Sequence, residues 1–283
     1  MPPRKRLGLS PHLYCEPLRG ARGKRDEFDW KREVPARNAI ALRERSIDLA
    51  FLTPIDYARG SSLYYIVPRV AVASPAGDAS VTLHFREGLR NIRTLAVDPS
   101  SVSEIVLVQI LLVEQFNVRP QILPFQGTLD GALAKADAAL LVGDDSLRAL
   151  HVHGNVLDVI EDWIDLTGLP YIHGFWCGRE HALTEEELSS LQRHCVDGVA
   201  LLDEIAEAAS EEHKLGPINA IEARDYLGGF SFELSDTVEE GLKEFLRYAF
   251  YHGILPDVAD LHYLDPSSAD DDSKPPSRPP AIH

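Results

Sequence analysis

Short apolar runs that end in polar turns and lead into helical segments recur along this chain of 283 residues. IDLAFL at 47–52 ends in Thr53, TLAVD at 94–98 ends in a serine-rich turn, and AALLV at 138–142 ends in Gly143. Runs of this length with few charges are typical of buried strands, and their alternation with helical periodicity is typical of α/β folds. The sequence therefore predicts an α/β fold, with ligand-binding residues in the turns at the carboxyl ends of the strands.

The alternation falls into two units followed by a helical section. We predict a first lobe over residues 1–86, a second lobe over 87–177, and a helical segment over 178–264 that returns to the first lobe. Residues 265–283 are rich in Pro, Ser and Asp, so we expect them to be disordered. The expected ligand site is the crevice between the two lobes.

A formal net charge of −16 is incompatible with a generally basic surface. We therefore expect neither nucleic acid nor a membrane as a partner, although a cleft can be locally positive at helix N-termini. No apolar stretch follows the basic residues near the N-terminus, and the three cysteines form no CxxC pair. These features favour a cytoplasmic protein with a small-molecule ligand, and they predict no oligomeric state.

The strongest local binding signal is the serine turn, residues 99–103, which joins a predicted strand to a predicted helix. Ser101 and Glu104 have the spacing of a capping box. The backbone N–H groups of Val102 and Ser103 would then be free to bind a carboxylate or phosphate. An ordinary helix cap without a ligand explains the same residues, and no glycine-rich phosphate loop accompanies them, so both interpretations stay open.

Three other candidates have a structural interpretation beside a functional one. Asp144 follows a buried strand, where its carboxylate could face a cleft or cap the next helix. Cys15, in HLYCEPL at 12–18, could be a nucleophile, but no known nucleophile motif surrounds it, which favours a half-buried side chain near the first helix. His151 and His153 lack a third metal ligand nearby, which favours exposed histidines.

Six blocks of the sequence resemble, in order, the chorismate dehydratase family of the futalosine route to menaquinone. The blocks are IDLAFLTPIDYAR, LYYIVPRVAVASPAGDASVTLHF, TLAVDPSSVSEIVLVQILL, ADAALLVGDDSL, DWIDLTGLPYIHGFW and EEGLKEFLRYAFYHGIL. Their order and spacing carry the resemblance, which covers most of residues 6–255.

The resemblance implies a two-lobed fold like that of type II periplasmic solute-binding proteins, with a ligand cleft between the lobes, in a cytoplasmic protein. It implies a carbon–oxygen lyase that converts chorismate to 3-[(1-carboxyvinyl)oxy]benzoate with loss of water. No metal or organic cofactor is expected. Aromatisation supplies much of the driving force, so the protein needs mainly to orient the ring, assist the departing hydroxyl and exclude water. The substrate's own carboxylate is one candidate for the proton acceptor.

The resemblance also assigns individual residues. Ser80 matches the family's substrate-contacting serine, and Tyr14 stands where the family has an asparagine, so these two are the expected catalytic residues. Val102 and His173 stand where a polar and an apolar residue, respectively, are more usual. The expected substrate-binding residues, from the resemblance and from the strand ends, are Thr53, Ser100, Ser101, Val102, Ser103, Asp144 and His173.

Tyr14 keeps two functions open. A phenol can donate one hydrogen bond near neutral pH, but it cannot reproduce the paired donor and acceptor of an amide. The first interpretation is a chorismate dehydratase with Tyr14 near the ring hydroxyl and with substrate carboxylates at Ser80 and the serine turn. The alternative is a non-catalytic cytoplasmic binding protein for a cyclic or aromatic carboxylate, which would use the same residues.

Overall fold

A computed structural model describes residues 4–20, 27–211 and 215–266 of the chain. Its strands form two five-stranded sheets, each covered by helices, which confirms the predicted two-lobed α/β fold. Of the tail expected to be disordered, residues 267–283 lie outside the described part of the chain.

The first sheet has the strand order β2-β1-β3-β10-β4. β1 pairs in parallel with β2 and β3, whereas β10 is antiparallel to both β3 and β4. All residues of β10 are buried, because the strand lies inside the sheet and its side chains enter apolar clusters on both faces. The strands of this sheet are β1 (Arg6–Leu9), β2 (Asp29–Arg32), β3 (Leu49–Leu52), β4 (Tyr65–Ser74) and β10 (Tyr171–Gly178).

The second sheet has the strand order β7-β6-β8-β5-β9. β6 pairs in parallel with β7 and β8, whereas β5 is antiparallel to β8 and β9. Its strands are β5 (Val81–Phe85), β6 (Thr94–Val97), β7 (Gln121–Pro124), β8 (Ala138–Val142) and β9 (Asn155–Asp158).

Strand pairing moves the lobe boundaries away from those predicted. The sequence predicts β5 in the first lobe, but Val81–Phe85 pairs along its whole length with β8 and belongs to the second sheet. The sequence predicts β10 at the end of the second lobe, but Tyr171–Gly178 pairs with β3 and β4 of the first sheet. The chain therefore crosses between sheets at residues 75–80 and 168–170. The apolar pattern of a strand indicates burial but not the sheet that buries it.

Helices pack on both sheets and connect them. α10 packs on β10 and α2, and it also contacts α3 of the second lobe, while α7 packs on the first 3₁₀ helix and on β4. The helices are α1 (Pro35–Arg43), α2 (Pro54–Ala58), α3 (Val102–Phe116), α4 (Leu129–Leu133), α5 (Asp144–Arg148), α6 (Val159–Thr167), α7 (Glu185–Val199), α8 (Leu202–Glu211), α9 (Ala220–Gly228) and α10 (Asp236–Tyr251), with 3₁₀ helices at Leu13–Arg19 and Leu89–Asn91. Within the described ranges, no helix combines the length and the apolar character that crossing a membrane requires.

Candidate functional site

The two lobes meet where the carboxyl ends of β1 and β3 face those of β6 and β8. The backbone N–H of Leu13, after β1, donates to Asp144 Oδ1, after β8, over 2.7 Å. The backbone N–H of Ile55, after β3, donates to Ser103 Oγ, after β6, over 3.0 Å. These bonds hold the lobes together across the cleft, so the strand-end turns that the sequence singles out come together there.

Gly143 fits the same junction closely. Its φ is +60°, and a Cβ at this position would lie 2.2 Å from His12 Nδ1 of the other lobe. The backbone N–H of Asp144, the following residue, donates a long hydrogen bond of 3.5 Å to His12 Nδ1. Only glycine combines this backbone conformation with so close an approach.

A cluster of five aromatic rings lies behind this junction, and we call it the ring cluster. Tyr14, in the 3₁₀ helix after β1, is 3% exposed, and its ring centroid lies 5.1 Å from His173 and 5.3 Å from Phe230. Tyr171 and His173 alternate along β10, and their centroids lie 5.0 Å apart. Tyr226, on α9, lies 5.0 Å from Phe230. The cluster therefore joins residues from three separate parts of the chain.

Three polar atoms of the ring cluster are buried and have no hydrogen-bond partner among the described residues. They are Tyr171 Oη, Tyr226 Oη and His173 Nδ1. An unsatisfied buried polar group costs about 1–3 kcal/mol, so three of them together make this cluster the candidate ligand site. Burial raises the pKa of Tyr14, Tyr171 and Tyr226 well above the ordinary value, which keeps all three phenols neutral donors.

The other ring nitrogen of His173 lies against a group of polar side chains at the end of β4. Its Nε2 is 2.7 Å from Ser74 Oγ and 3.4 Å from Ser80 Oγ. The hydroxyls of Ser74 and Ser80 both donate to Asp78, and the bond from Ser80 is 2.6 Å long. The backbone N–H of Ser80 also donates to Asp78, over 2.9 Å. Burial raises the pKa of Asp78, and the donors from Ser74 and Ser80 oppose that shift. The single hydroxyl proton of Ser80 is therefore donated to Asp78.

Glu104 is a buried acidic residue in the first turn of α3, next to Ser103 at the junction of the lobes. It is 2% exposed, and burial raises the pKa of its carboxyl to about 7, while its own backbone N–H opposes the shift. Burial is the main cause of the raised pKa of Tyr14 and Tyr171, and the charge of Glu104 adds to both shifts, so Glu104 lies within electrostatic range of the ring cluster. The predicted capping box with Ser101 is wrong, because Ser101 makes no side-chain cap and the Glu104 side chain is buried instead.

The polar groups of the serine turn mainly make hydrogen bonds within the protein. The hydroxyl and N–H of Ser100 both donate to Asp98 over 2.8 Å. Ser100 and Ser101 line a cavity of about 290 Å³ together with Asp98 and Asp145, and no Lys or Arg is among the described lining residues. Val102 is half-buried against the main apolar cluster and Ser103 is fully buried. The neighbouring carboxylates of Asp98 and Asp145 repel negative charge and so disfavour the binding of an anion at this turn.

The remaining sequence candidates are buried or make contacts within the protein. Thr53 donates its hydroxyl to Asp56 over 2.9 Å at the start of α2. Cys15 is completely buried, and burial raises the pKa of its thiol well above the ordinary value, so it is not an activated nucleophile. His151 is exposed and lies 2.8 Å from Glu222. Across the described ranges, His, Cys, Asp and Glu side chains form no group of three that could bind a metal ion.

Residues 5–251 match the family model described as menaquinone biosynthesis. The chain belongs to this menaquinone biosynthesis family. The family predicted from the sequence is thereby confirmed, as is a role in menaquinone biosynthesis.

Solved structures with the same fold come from several organisms. Protein AF1704 from Archaeoglobus fulgidus matches with a TM-score of 0.71 at 18% identity, over 89% of this chain and 98% of that one. The periplasmic aliphatic sulphonate binding protein SsuA from Escherichia coli matches with a TM-score of 0.59 at 16% identity, over 92% of this chain and 96% of that one. The alkanesulfonate-binding protein SsuA from Xanthomonas axonopodis pv. citri, bound to MOPS, matches with a TM-score of 0.55 at 13% identity, over 91% of this chain and 96% of that one. These matches establish a periplasmic-binding-protein-like fold for this member of the menaquinone biosynthesis family.

The sequence of this menaquinone biosynthesis protein does not single out Tyr171, Tyr226, Phe230 or Glu104 as site residues. Tyr171, Tyr226 and Phe230 are ordinary core residues by pattern, and only the tertiary fold brings their rings together. Glu104 carries a recognisable signal, because it is an acid next to the long apolar stretch of α3 (IVLVQILLV), but its spacing from Ser101 suggested a cap.

Proposed function

We propose that this protein is a hydro-lyase that converts chorismate to 3-[(1-carboxyvinyl)oxy]benzoate in the futalosine route. The observation that carries the proposal is the ring cluster, which combines packed aromatic rings with three buried polar atoms that have no partner among the described residues. Such a site suits a cyclic substrate whose ring carries polar substituents. Membership of the menaquinone biosynthesis family supports the choice of substrate.

In this proposal the phenols bind the substrate directly. The hydroxyls of Tyr171 and Tyr226 have no partner in the described part of the chain and can donate to substrate carboxylates, whereas those of Ser80 and Ser100 already donate to aspartates. We therefore assign carboxylate binding to the tyrosines. Ser80 and the serine turn then act indirectly, by fixing the loops that carry them.

Departure of the ring hydroxyl requires a proton donor. We assign this role to Glu104, since a carboxyl with a pKa of about 7 is partly protonated near neutral pH. Tyr14, which remains neutral, orients the same hydroxyl as a hydrogen-bond donor. The contacts of Leu13 with Asp144 and of Ile55 with Ser103 keep the lobes closed and exclude water from the ring.

The second candidate function is a non-catalytic binding protein for a cyclic or aromatic carboxylate. The observation that favours it is the likeness to the SsuA proteins, which are described as binding proteins. The same tyrosines would hold the ligand, and Glu104 would then have no proton to transfer.

Chorismate separates the two functions. The purified protein is incubated with chorismate, the small molecules are followed by liquid chromatography and mass spectrometry, and the bound fraction is measured by equilibrium dialysis. Formation of an aromatic product lighter than chorismate by one water supports the dehydratase. Binding without that product supports the second function, and absence of both contradicts the two proposals together.

A further inference from the structure

The hydrogen bonds around Asp78 fix the tautomer of His173. Asp78 Oδ1 accepts from the N–H and the hydroxyl of Ser80, and Asp78 Oδ2 accepts from the hydroxyl of Ser74. Three donors converging on one carboxyl favour its ionised form. Since Ser74 has a single hydroxyl proton and gives it to Asp78, its oxygen can only accept from His173 Nε2, 2.7 Å away.

His173 therefore carries its proton on Nε2 and an unshared electron pair on Nδ1. That Nδ1 atom is buried, has no partner among the described residues, and belongs to a ring that contacts Tyr14, Tyr171 and Phe230. Burial and the neighbouring His12 lower the pKa of His173 to about 3, so the imidazole is neutral and Nδ1 is available at physiological pH. A buried acceptor held ready in the ring cluster has the geometry of a base.

We infer that His173 Nδ1 is the proton acceptor of the dehydration, with Asp78 and Ser74 as positioning residues that hold the imidazole in its active tautomer. This inference rests on the proposed function and specifies one step of it. It places the proton on the protein rather than on the substrate's own carboxylate.

The proposed step balances without a further reactant. The bond between the ring carbon and its hydroxyl breaks, and the hydroxyl leaves with the electron pair and takes a proton from Glu104 to form water. The neighbouring carbon, which carries the enol ether, loses its proton to His173 Nδ1, and the electrons of that C–H bond complete the aromatic ring. The imidazolium later returns its proton through solvent to Glu104. A weak base suffices, because a ring about to become aromatic gives up this proton readily.

The tautomer can be measured without substrate. Nitrogen NMR of the full-length protein with ¹⁵N-labelled histidine distinguishes a ring nitrogen with a proton from one without, and comparison with His173→Gln identifies the His173 signals among the 11 histidines. We expect Nδ1 without a proton and Nε2 with one. A proton on Nδ1 would overturn the inference.

Asp78→Asn supplies a readout that a merely structural role would not affect. The Ser80 N–H requires an acceptor, so the asparagine oxygen faces Ser80 and its NH₂ group faces Ser74. Ser74 then accepts from the amide and donates to His173 Nε2, which moves the ring proton to Nδ1. We expect the NMR signals to show this exchange and kcat to fall, while KM changes less than about threefold. An unchanged tautomer in this variant would contradict the positioning role.

His173→Gln is the kinetic test, since the glutamine NH₂ group can still donate to Ser74 but offers no base at the Nδ1 position. We expect kcat for chorismate to fall by about 10²–10⁴-fold, as for other lost general bases, with binding of chorismate retained. Wild-type turnover with an equally active His173→Gln variant overturns the His173 assignment alone. A wild-type protein that binds chorismate without turnover overturns the proposed function and, with it, the catalytic role of His173.

Discussion

The backbone N–H of Leu13 in the first lobe donates a 2.7 Å hydrogen bond to Asp144 Oδ1 in the second lobe. The two residues are 131 positions apart in the chain, so this bond exists only when the lobes are closed. Leu13 directly precedes Tyr14, whose ring packs on His173 and Phe230 of the first lobe. Closure of the lobes therefore brings the second lobe against the segment that carries Tyr14, whereas the ring cluster itself lies within the first lobe.

Asp144→Ala should loosen this closure. The variant leaves the Leu13 N–H without its acceptor, whereas Asp144→Asn retains a carbonyl oxygen at the same position. We expect a larger radius of gyration by small-angle scattering and an affinity for chorismate about 5–10-fold lower in Asp144→Ala, equivalent to about 1 kcal/mol for one hydrogen bond. Asp144→Asn should stay close to wild type. Identical scattering and affinity in all three proteins would show that the bond does not control closure.

Glu104→Gln should change the pH dependence of stability. Burial raises the pKa of Glu104 from 4.5 to about 7, so the folded protein binds more protons than the unfolded chain between these values. The free energy of unfolding therefore falls as pH rises through this window and is lowest above pH 7. The glutamine removes that loss, and at about pH 8 the variant should be more stable than wild type by up to about 3 kcal/mol.

Urea unfolding at about pH 5 and about pH 8 measures this effect. The matched control is Glu240→Gln, an exposed glutamate on α10, which should leave the wild-type pH slope unchanged. If Glu104→Gln keeps the same slope as wild type, Glu104 is not the buried acid described above.

The three cysteine thiols should be inert in the native protein. Cys15 and Cys177 are completely buried and Cys195 is nearly so, and burial raises the pKa of all three thiols. A coloured thiol reagent should therefore react with none of them within minutes under native conditions and with all three in urea. Rapid native labelling of Cys15, located by peptide mass spectrometry, would restore the nucleophile hypothesis.

Tyr14→Phe tests the hydroxyl of Tyr14 separately from its ring. Phenylalanine keeps the ring contacts with His173 and Phe230, so the melting temperature should change little. We expect kcat for chorismate to fall about tenfold or more through loss of the donor to the departing hydroxyl. Unchanged kcat would assign Tyr14 to packing alone.

Local signals in the sequence predict the elements well. α3 begins at Val102 and ends at Phe116 as its periodicity indicates, although Ser101 makes no capping box, and the capping box of Thr184 with Glu187 is present in α7. The apolar stripe that continues from Leu188 to Ala209 indicates one helix, but the chain breaks it into α7 and α8. A stripe reports only which face is buried, and two packed helices can share it.

The site itself depends on contacts between distant positions. Ser74 and His173 are 99 residues apart, and their hydrogen bond forms because β4 and β10 are neighbours in the first sheet. The sequence places His173 near a cleft by resemblance but gives no sign of Ser74 or Asp78 beside it. Strand order decides such pairs, and no local pattern encodes strand order.

Turnover of chorismate is the most direct test of the proposed dehydratase. The full-length protein, at a concentration far below that of chorismate, is sampled over time, and the product is identified by its mass and its aromatic absorbance. We expect each protein molecule to form many molecules of 3-[(1-carboxyvinyl)oxy]benzoate. After the loss of chorismate without protein is subtracted, one product molecule should form for each chorismate consumed. Chorismate that remains intact, although dialysis shows it bound, would contradict the dehydratase.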